Sequence, residues 1–334
     1  MEQIKQQKRI AYLDNVAGLF IIYMIFMHCC QFTEMTGTIF YRVLSVVFSC
    51  FMAWFFFKSG MFHKENTSVK TAFSHILKKL WKPFFFFWCI GFIVNAFILF
   101  LDDDGNWVHY ILSPFKQTVW DGGTNAGELS MWFLVTLFIV HTLSPIVLKS
   151  CKGYGWIVCG AIGCVVSVVN GQLGYGFLHP YYLFNFFPAM FFYGLGVCMR
   201  ERQFSNKYFA ASLVVYIMSF IVSSRVDFRT NTLVSGNLPL WYIYALAGIL
   251  LFNYVFHKMN RNLSFLSSVG RDSMYWFLLH WPVLMIVQKM SVRYFSLSGG
   301  GIINNCIHTS EHYTTHVAST VQIYSVKQVY LKIY

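Results

Sequence analysis

Long apolar runs alternate along this chain with short polar connections that carry most of its lysines and arginines. Nine runs fall within the ~17–25 residues that a helix needs to cross a hydrocarbon core: about 12–30, 38–61, 84–101, 129–148, 155–171, 180–199, 208–224, 238–257 and 273–292. The first is too long and too polar at its far end for a cleaved signal peptide, and it lacks a small-x-small cleavage site. It is therefore read as a span. The pattern predicts an all-α, polytopic transmembrane bundle of nine to ten spans. A membrane-embedded domain is expected over residues 1–292, followed by a polar tail over 293–334.

The tail differs in kind. "GGGIINNCIHTSEHYTTHVASTVQIYSVKQVYLKIY" is polar, rich in Thr and His, and holds no 20-residue apolar run, which suggests a frameshifted or replaced terminus. His308, His312 and His316 are four apart, but no carboxylate follows His312 as in the zinc-protease pattern, and no metal is expected.

Composition narrows the class. Charged residues make up 11% of the chain, less than half the ~25% of soluble domains, so a water-facing surface cannot be covered. The net charge of +12 raises the question of nucleic acid. Its distribution answers it, because the basic residues form short clusters between apolar runs rather than one continuous face. Counted over alternate connections, sixteen Lys and Arg share the side of the N-terminus and four lie on the other. This bias predicts a cytoplasmic N-terminus, and the acidic stretch Asp102–Asp104 then falls outside. The nine cysteines are scattered with no C-x-x-C pair, so neither a zinc site nor a disulfide framework is indicated.

Ionisable groups inside spans are costly and mark function by default. His28 lies deep in the first run. It reads either as a packed, hydrogen-bonded histidine or as a general base towards a hydroxyl. Lys78 and Lys82 share a helix face at the start of the third run, with Lys79 beside them and Lys58 near the end of the second. They read as positive-inside anchors or as a phosphate site for an anionic ligand. His280 in "GRDSMYWFLLHWPV" reads as an interfacial structural histidine or as part of the acceptor side. Glu128 and Trp132 in "GELSMWFLVTLF" stand at the start of the fourth run, where the Trp is a belt residue or a sugar-stacking platform.

Taken in order, these segments resemble the acyltransferase 3 family of bacterial membrane O-acyltransferases, nearest to its fucose 4-O-acetylase-like members. "RIAYLDNVAGLFIIYMIFMH" resembles the family's first helix, with Arg9, Asp14, Gly18 and His28 in matching places. "FFFKSGMFHK", "KKLWKPFFFF", "MWFLVTLF", "FFPAMFFYGLGVCMR" and "GRDSMYWFLLHWPV" resemble five further motifs in the family's order, so the likeness covers about residues 8–290. It implies a multi-pass protein of the bacterial inner membrane that transfers an acyl group, usually acetyl from acetyl-CoA, to a hydroxyl of a surface glycan or its lipid-linked precursor. Acetyl-CoA would be a co-substrate, with no bound cofactor. His28 would be the catalytic base. Lys58, Lys78, Lys79 and Lys82 would hold the acyl donor, and Glu128, Trp132 and His280 are candidates for the acceptor side.

One position departs from the family. Eleven residues before this histidine the family carries Arg or Lys, and here the residue is Ala17. A basic group restored there is expected to raise turnover, or to compete for space and lower it where Lys58 or the lysines of the third run already fill the donor pocket. Two other readings stay open: a flippase or exporter of lipid-linked glycan using the same polar path, and an inactive relic of the family.

Overall fold

The computed structural model of the protein describes residues 10–33, 35–102, 107–125, 127–173, 179–200, 204–222, 224–259 and 263–295. The polar tail beyond residue 295, with His308, His312 and His316, lies outside them. Twelve α-helices and one small hairpin make up the described chain. Each of the nine expected spans falls on helix. By length and composition, six helical stretches can cross a membrane.

α1 (Ala11–Phe32) is apolar on all sides and buried on most of them, with Leu13, Val16, Phe20 and Ile21 enclosed. A helix apolar all round belongs inside a bundle. α2 (Ile39–Val47) begins at Thr38, whose Oγ1 caps the Tyr41 N–H at 3.2 Å. It breaks at Phe48–Cys50 and resumes as α3 (Phe51–Met61). At that break the Tyr244 and Tyr216 hydroxyls donate to the Val46 and Val47 carbonyls, which meets the need for partners where a helix ends out of water.

α4 (Val69–Asp102) corrects the expected third span in one respect. The helix starts well ahead of the run expected from residue 84 and continues through Pro83, with Lys78, Lys79 and Lys82 on it. α5 (Trp107–Trp120) was not expected as an element. Trp88 of α4 ties to it by donating from Nε1 to Thr118 Oγ1 at 2.6 Å. α6 (Trp132–Val147) is apolar but short, and α7 (Gly155–Leu173) and α8 (Tyr181–Met199) follow.

α9 (Asn206–Val222) leads into an antiparallel hairpin of β1 (Arg225–Asp227) and β2 (Thr232–Ser235), which the apolar pattern did not announce. Its turn is pressed into the bundle. Phe228 stacks on Phe56 with ring centroids 5.3 Å apart and an interplanar angle of 13°. Asn231 Nδ2 donates to the Gly163 and Phe184 carbonyls, and Asn170 Nδ2 to the Thr230 carbonyl and Thr232 Oγ1. α10 (Leu238–Met259), the short α11 (Ser264–Arg271) and α12 (Ser273–Phe295) complete the described chain. Large apolar side chains such as Phe85, Phe86, Ile93, Val165 and Val214 face outwards, as lipid-facing helices require.

Small residues let the helices approach at backbone distance. A Cβ at Gly270 of α11 would lie 1.8 Å from the Asp14 carbonyl oxygen of α1, and one at Gly18 would lie 2.0 Å from that of Leu266. Between α3 and α8, a Cβ at Gly60 would meet the Tyr193 carbonyl oxygen at 1.9 Å.

Gly270→Ala should therefore force α11 off α1, at about 1–3 kcal/mol or more of overpacking, read as a fall in melting temperature in detergent. Gly37→Ala, whose Cβ would meet nothing within 4 Å, is the silent control. Ala17 is wholly enclosed in the core, which favours competition for space over a gain from a basic group there. Ala17→Arg buries a charge with no outlet and should lower the yield of folded protein without raising turnover.

Candidate functional site

α1 and α12 bring two histidines together. The His28 and His280 rings stack with centroids 5.1 Å apart and an interplanar angle of 26°. Trp281 stands edge-on to His28 at 5.1 Å and also packs on Phe32. His28 is partly buried and His280 is 6% exposed. The Nδ1 of His28 lies 2.7 Å from Gln31 Oε1, and Gln31 Nε2 donates to Tyr41 Oη at 3.3 Å. His280 Nδ1 donates to the Phe277 carbonyl at 2.6 Å, and its Nε2 is buried with no hydrogen-bond partner among the described residues. Arg229, on the turn of the hairpin, is within electrostatic reach of His28 and lies 5.4 Å over the Tyr181 ring.

Glu128 lies in the connection between α5 and α6, fully buried rather than facing out. Gly127 permits this, because a Cβ there would meet the Gly91 carbonyl oxygen at 1.9 Å. The connection is held against α4 by Asn125, whose Nδ2 donates to the Trp88 carbonyl at 3.1 Å. Glu128 Oε1 accepts from the Ser130 N–H at 2.8 Å and from the Ser130 hydroxyl, while Oε2 has no partner among the described residues. Burial, opposed by the Ser130 hydrogen bonds, pushes this carboxyl up to about 8. Trp132 is 8% exposed, with one face towards Phe228. From its neighbour Phe133, ring contacts of 5.1 Å to Phe277 and then 6.0 Å to His280 lead to the histidine pair.

A second polar cluster forms where α3 ends. Ser59 Oγ lies 3.2 Å from His141 Nε2, and His63 Nδ1 lies 3.0 Å from Tyr193 Oη. Arg200 Nη2 donates to the His63 carbonyl at 2.7 Å. Burial first, then the Arg200 charge, lowers the His63 imidazole below its ordinary value. Lys79 is within electrostatic reach of His141, and Lys58 holds its ammonium 5.3 Å from the Trp54 ring. The structure thus brings Lys79 towards this cluster, whereas the Lys58 ammonium lies over Trp54, which packs against Phe20 and donates to Asn253. Lys78 and Lys82 are exposed on α4, with Lys82 5.9 Å from the Trp81 ring. Among the described residues no three His, Cys, Asp or Glu side chains are grouped to hold a metal.

Several of these residues escaped the sequence reading. Ser59 and His63 stand in "FFFKSGMFHK", where Lys58 alone drew attention. Gln31 follows His28 by three residues, a spacing that puts both on one helix face and was available as a signal. His141, Tyr193, Arg200 and the hairpin carried none, because their neighbours are remote in sequence.

Glu128 gives a test with a definite sign. Its folded value of about 8 lies above the 4.5 of a free carboxyl. Between those limits the unfolded chain binds fewer protons, so stability falls as pH rises and levels off above the folded value. Glu128→Gln keeps the Oε1 acceptor and removes the titration. Its melting temperature in detergent should gain on the wild type between about pH 5 and 8, with a constant difference above. Parallel curves across that range would show that Glu128 does not titrate this way.

The comparisons with known proteins give one family. The acyltransferase 3 model, described as an acyltransferase domain, matches residues 10–309. No curated protein and no solved structure matches the chain. With a match over nearly the whole chain and helices apolar enough to cross a membrane, the protein belongs to the acyltransferase 3 family and is a multi-pass membrane acyltransferase.

Proposed function

We propose that the protein transfers acetyl from acetyl-CoA to a hydroxyl of a cell-surface glycan or its lipid-linked precursor, with His28 as the general base. The observation that carries this reading is the His28–His280 stack: a partly buried imidazole, hydrogen-bonded on one side and stacked on a second ring, in apolar surroundings. In the reaction the acceptor oxygen attacks the thioester carbonyl while His28 takes the hydroxyl proton. The carbon–sulfur bond then breaks, and His28 returns the proton to the leaving thiolate, giving the ester and free CoA. A positioned base of this kind contributes about 10²–10⁴-fold in rate.

Lys58, Lys78, Lys79 and Lys82 serve the donor, since ammonium groups hold phosphate oxygens by charge-assisted hydrogen bonds. Lys78, Lys79 and Lys82 lie within five residues of one another on α4, which supports an anionic ligand there. His280 lines the acceptor side. Trp132 supports it from behind through Phe133 and Phe277, and Glu128 stands in the buried connection that leads into Trp132. The sixteen-to-four charge count supports a cytoplasmic N-terminus in a bacterial inner membrane. That orientation puts the lysines on the side where acyl-CoA is made.

Purified protein in detergent, given radiolabelled acetyl-CoA and a glycan acceptor, should transfer label. His28→Ala should lower kcat about 100-fold or more with the fold intact, as expected for a lost base. Lys79→Glu with Lys82→Glu should instead raise the KM for acetyl-CoA, by about 10- to 150-fold for ~1.5–3 kcal/mol of phosphate bonding. Full turnover by His28→Ala would overturn the reading.

A further inference from the structure

A neutral imidazole exists as two tautomers, and it accepts a proton only at the nitrogen that is bare. Which nitrogen of His28 is bare depends on the partner of the other. Among the described residues that partner is Gln31, with Oε1 2.7 Å from Nδ1. This separation suits a ring N–H meeting a carbonyl oxygen. The remaining half of the amide is tied, since Nε2 donates to Tyr41 Oη at 3.3 Å. Tyr41 is itself fixed: it is 9% exposed, and its backbone N–H is capped by Thr38 in the first turn of α2. The link therefore runs from α2 through one amide to the imidazole, with the carbonyl end on the ring.

We propose that Gln31 is the positioning residue of this site, accepting the Nδ1 proton of His28 and so keeping the Nε2 lone pair bare for the acceptor hydroxyl. The consequence for turnover rests on the acyl-transfer reading, whereas the tautomer does not. His280 reaches the same protonation by other means. Its Nδ1 proton goes to the Phe277 carbonyl, so it meets His28 with a ring face rather than a competing hydrogen bond. The arrangement has the logic of a base oriented by a third group, with an uncharged amide in the orienting place.

The test uses the full-length protein with ¹⁵N-labelled histidine in detergent, His28 being identified by the signals lost in His28→Gln. The ¹⁵N shifts of the wild type should show His28 protonated at Nδ1 and bare at Nε2. Gln31→Met, similar in length but without an acceptor, should give a mixture of tautomers. Its kcat should fall at least about tenfold, a part of the ~10²–10⁴ due to a positioned base, with the KM for acetyl-CoA within about twofold. Gln31→Glu, which can only accept, should keep both the tautomer and most of the turnover.

A proton on Nε2 in the wild type would overturn the inference. So would a Gln31→Met protein with unchanged shifts and rate, or a Gln31→Glu protein whose tautomer switches, since that would make Gln31 a donor. A wild type with the Nδ1 proton in place that turns over no acetyl-CoA would support the positioning inference while the acyl-transfer reading failed.

Discussion

The contact of α11 on α1 sets the register on which the histidine pair depends. Gly270 approaches Asp14 and Gly18 so closely that a single methyl group there would overlap α1 backbone. Beyond that contact α1 runs ten residues from Gly18 to His28, about 15 Å of helix, while α11 ends at Arg271 and the chain turns at Asp272 into α12, which carries His280 back to the His28 ring. Lipid offers no hydrophobic drive for helices to associate, and close packing at small residues takes its place. The glycines are thus remote from the chemistry yet decide whether the two rings meet.

A different constraint governs polar groups elsewhere in the bundle. Out of water, a backbone or side-chain polar group needs a partner inside the protein. The tyrosine hydroxyls at the α2–α3 break, the Asn170 and Asn231 amides on the hairpin turn and the Asn125 amide against α4 all meet that need. His280 Nε2 and Glu128 Oε2 are buried without a partner among the described residues, as are other atoms such as Asn231 Oδ1, Trp241 Nε1 and Trp281 Nε1. A buried acceptor left without a donor is a cost that packing alone does not explain. His280 carries its bare atom beside the histidine pair, and Glu128 carries its own in the connection ahead of α6.

The spans were legible because burial in lipid imposes a length and a composition that no other constraint overrides. α4 was cut short at Pro83 because proline usually marks a helix start, and here the helix continues through it. α5 is shorter than a span and lay in a stretch of mixed polarity. The hairpin is held by amides from α7 and by its own turn, and no local pattern reports such ties. The site was half legible. His28 and His280 each drew attention as ionisable groups in apolar runs, but their pairing spans 252 residues of chain and is a product of helix register. Gln31 was readable in principle and was hidden by its ordinary character as a polar residue near a helix end.

The two polar clusters raise the question of how they communicate, and the aromatic side chains supply a physical route. Phe56, two residues from Lys58, contacts Phe133 at 5.2 Å, and Phe133 leads through Phe277 to His280. The hairpin seals this path, because Phe228 lies on both Phe56 and Trp132. On the acyl-transfer reading, such a path serves chemistry in two ways. Excluding water strengthens the electrostatic interactions inside the site, and it denies the thioester its competing nucleophile. On that reading a basic cluster would meet the charged part of the donor and the aromatic side chains the uncharged acyl group, with the imidazole pair at the far end of the ring contacts. The hairpin turn, which no hydropathy pattern revealed, is then part of the site's wall, since withdrawing Phe228 would open Phe56 and Trp132 together.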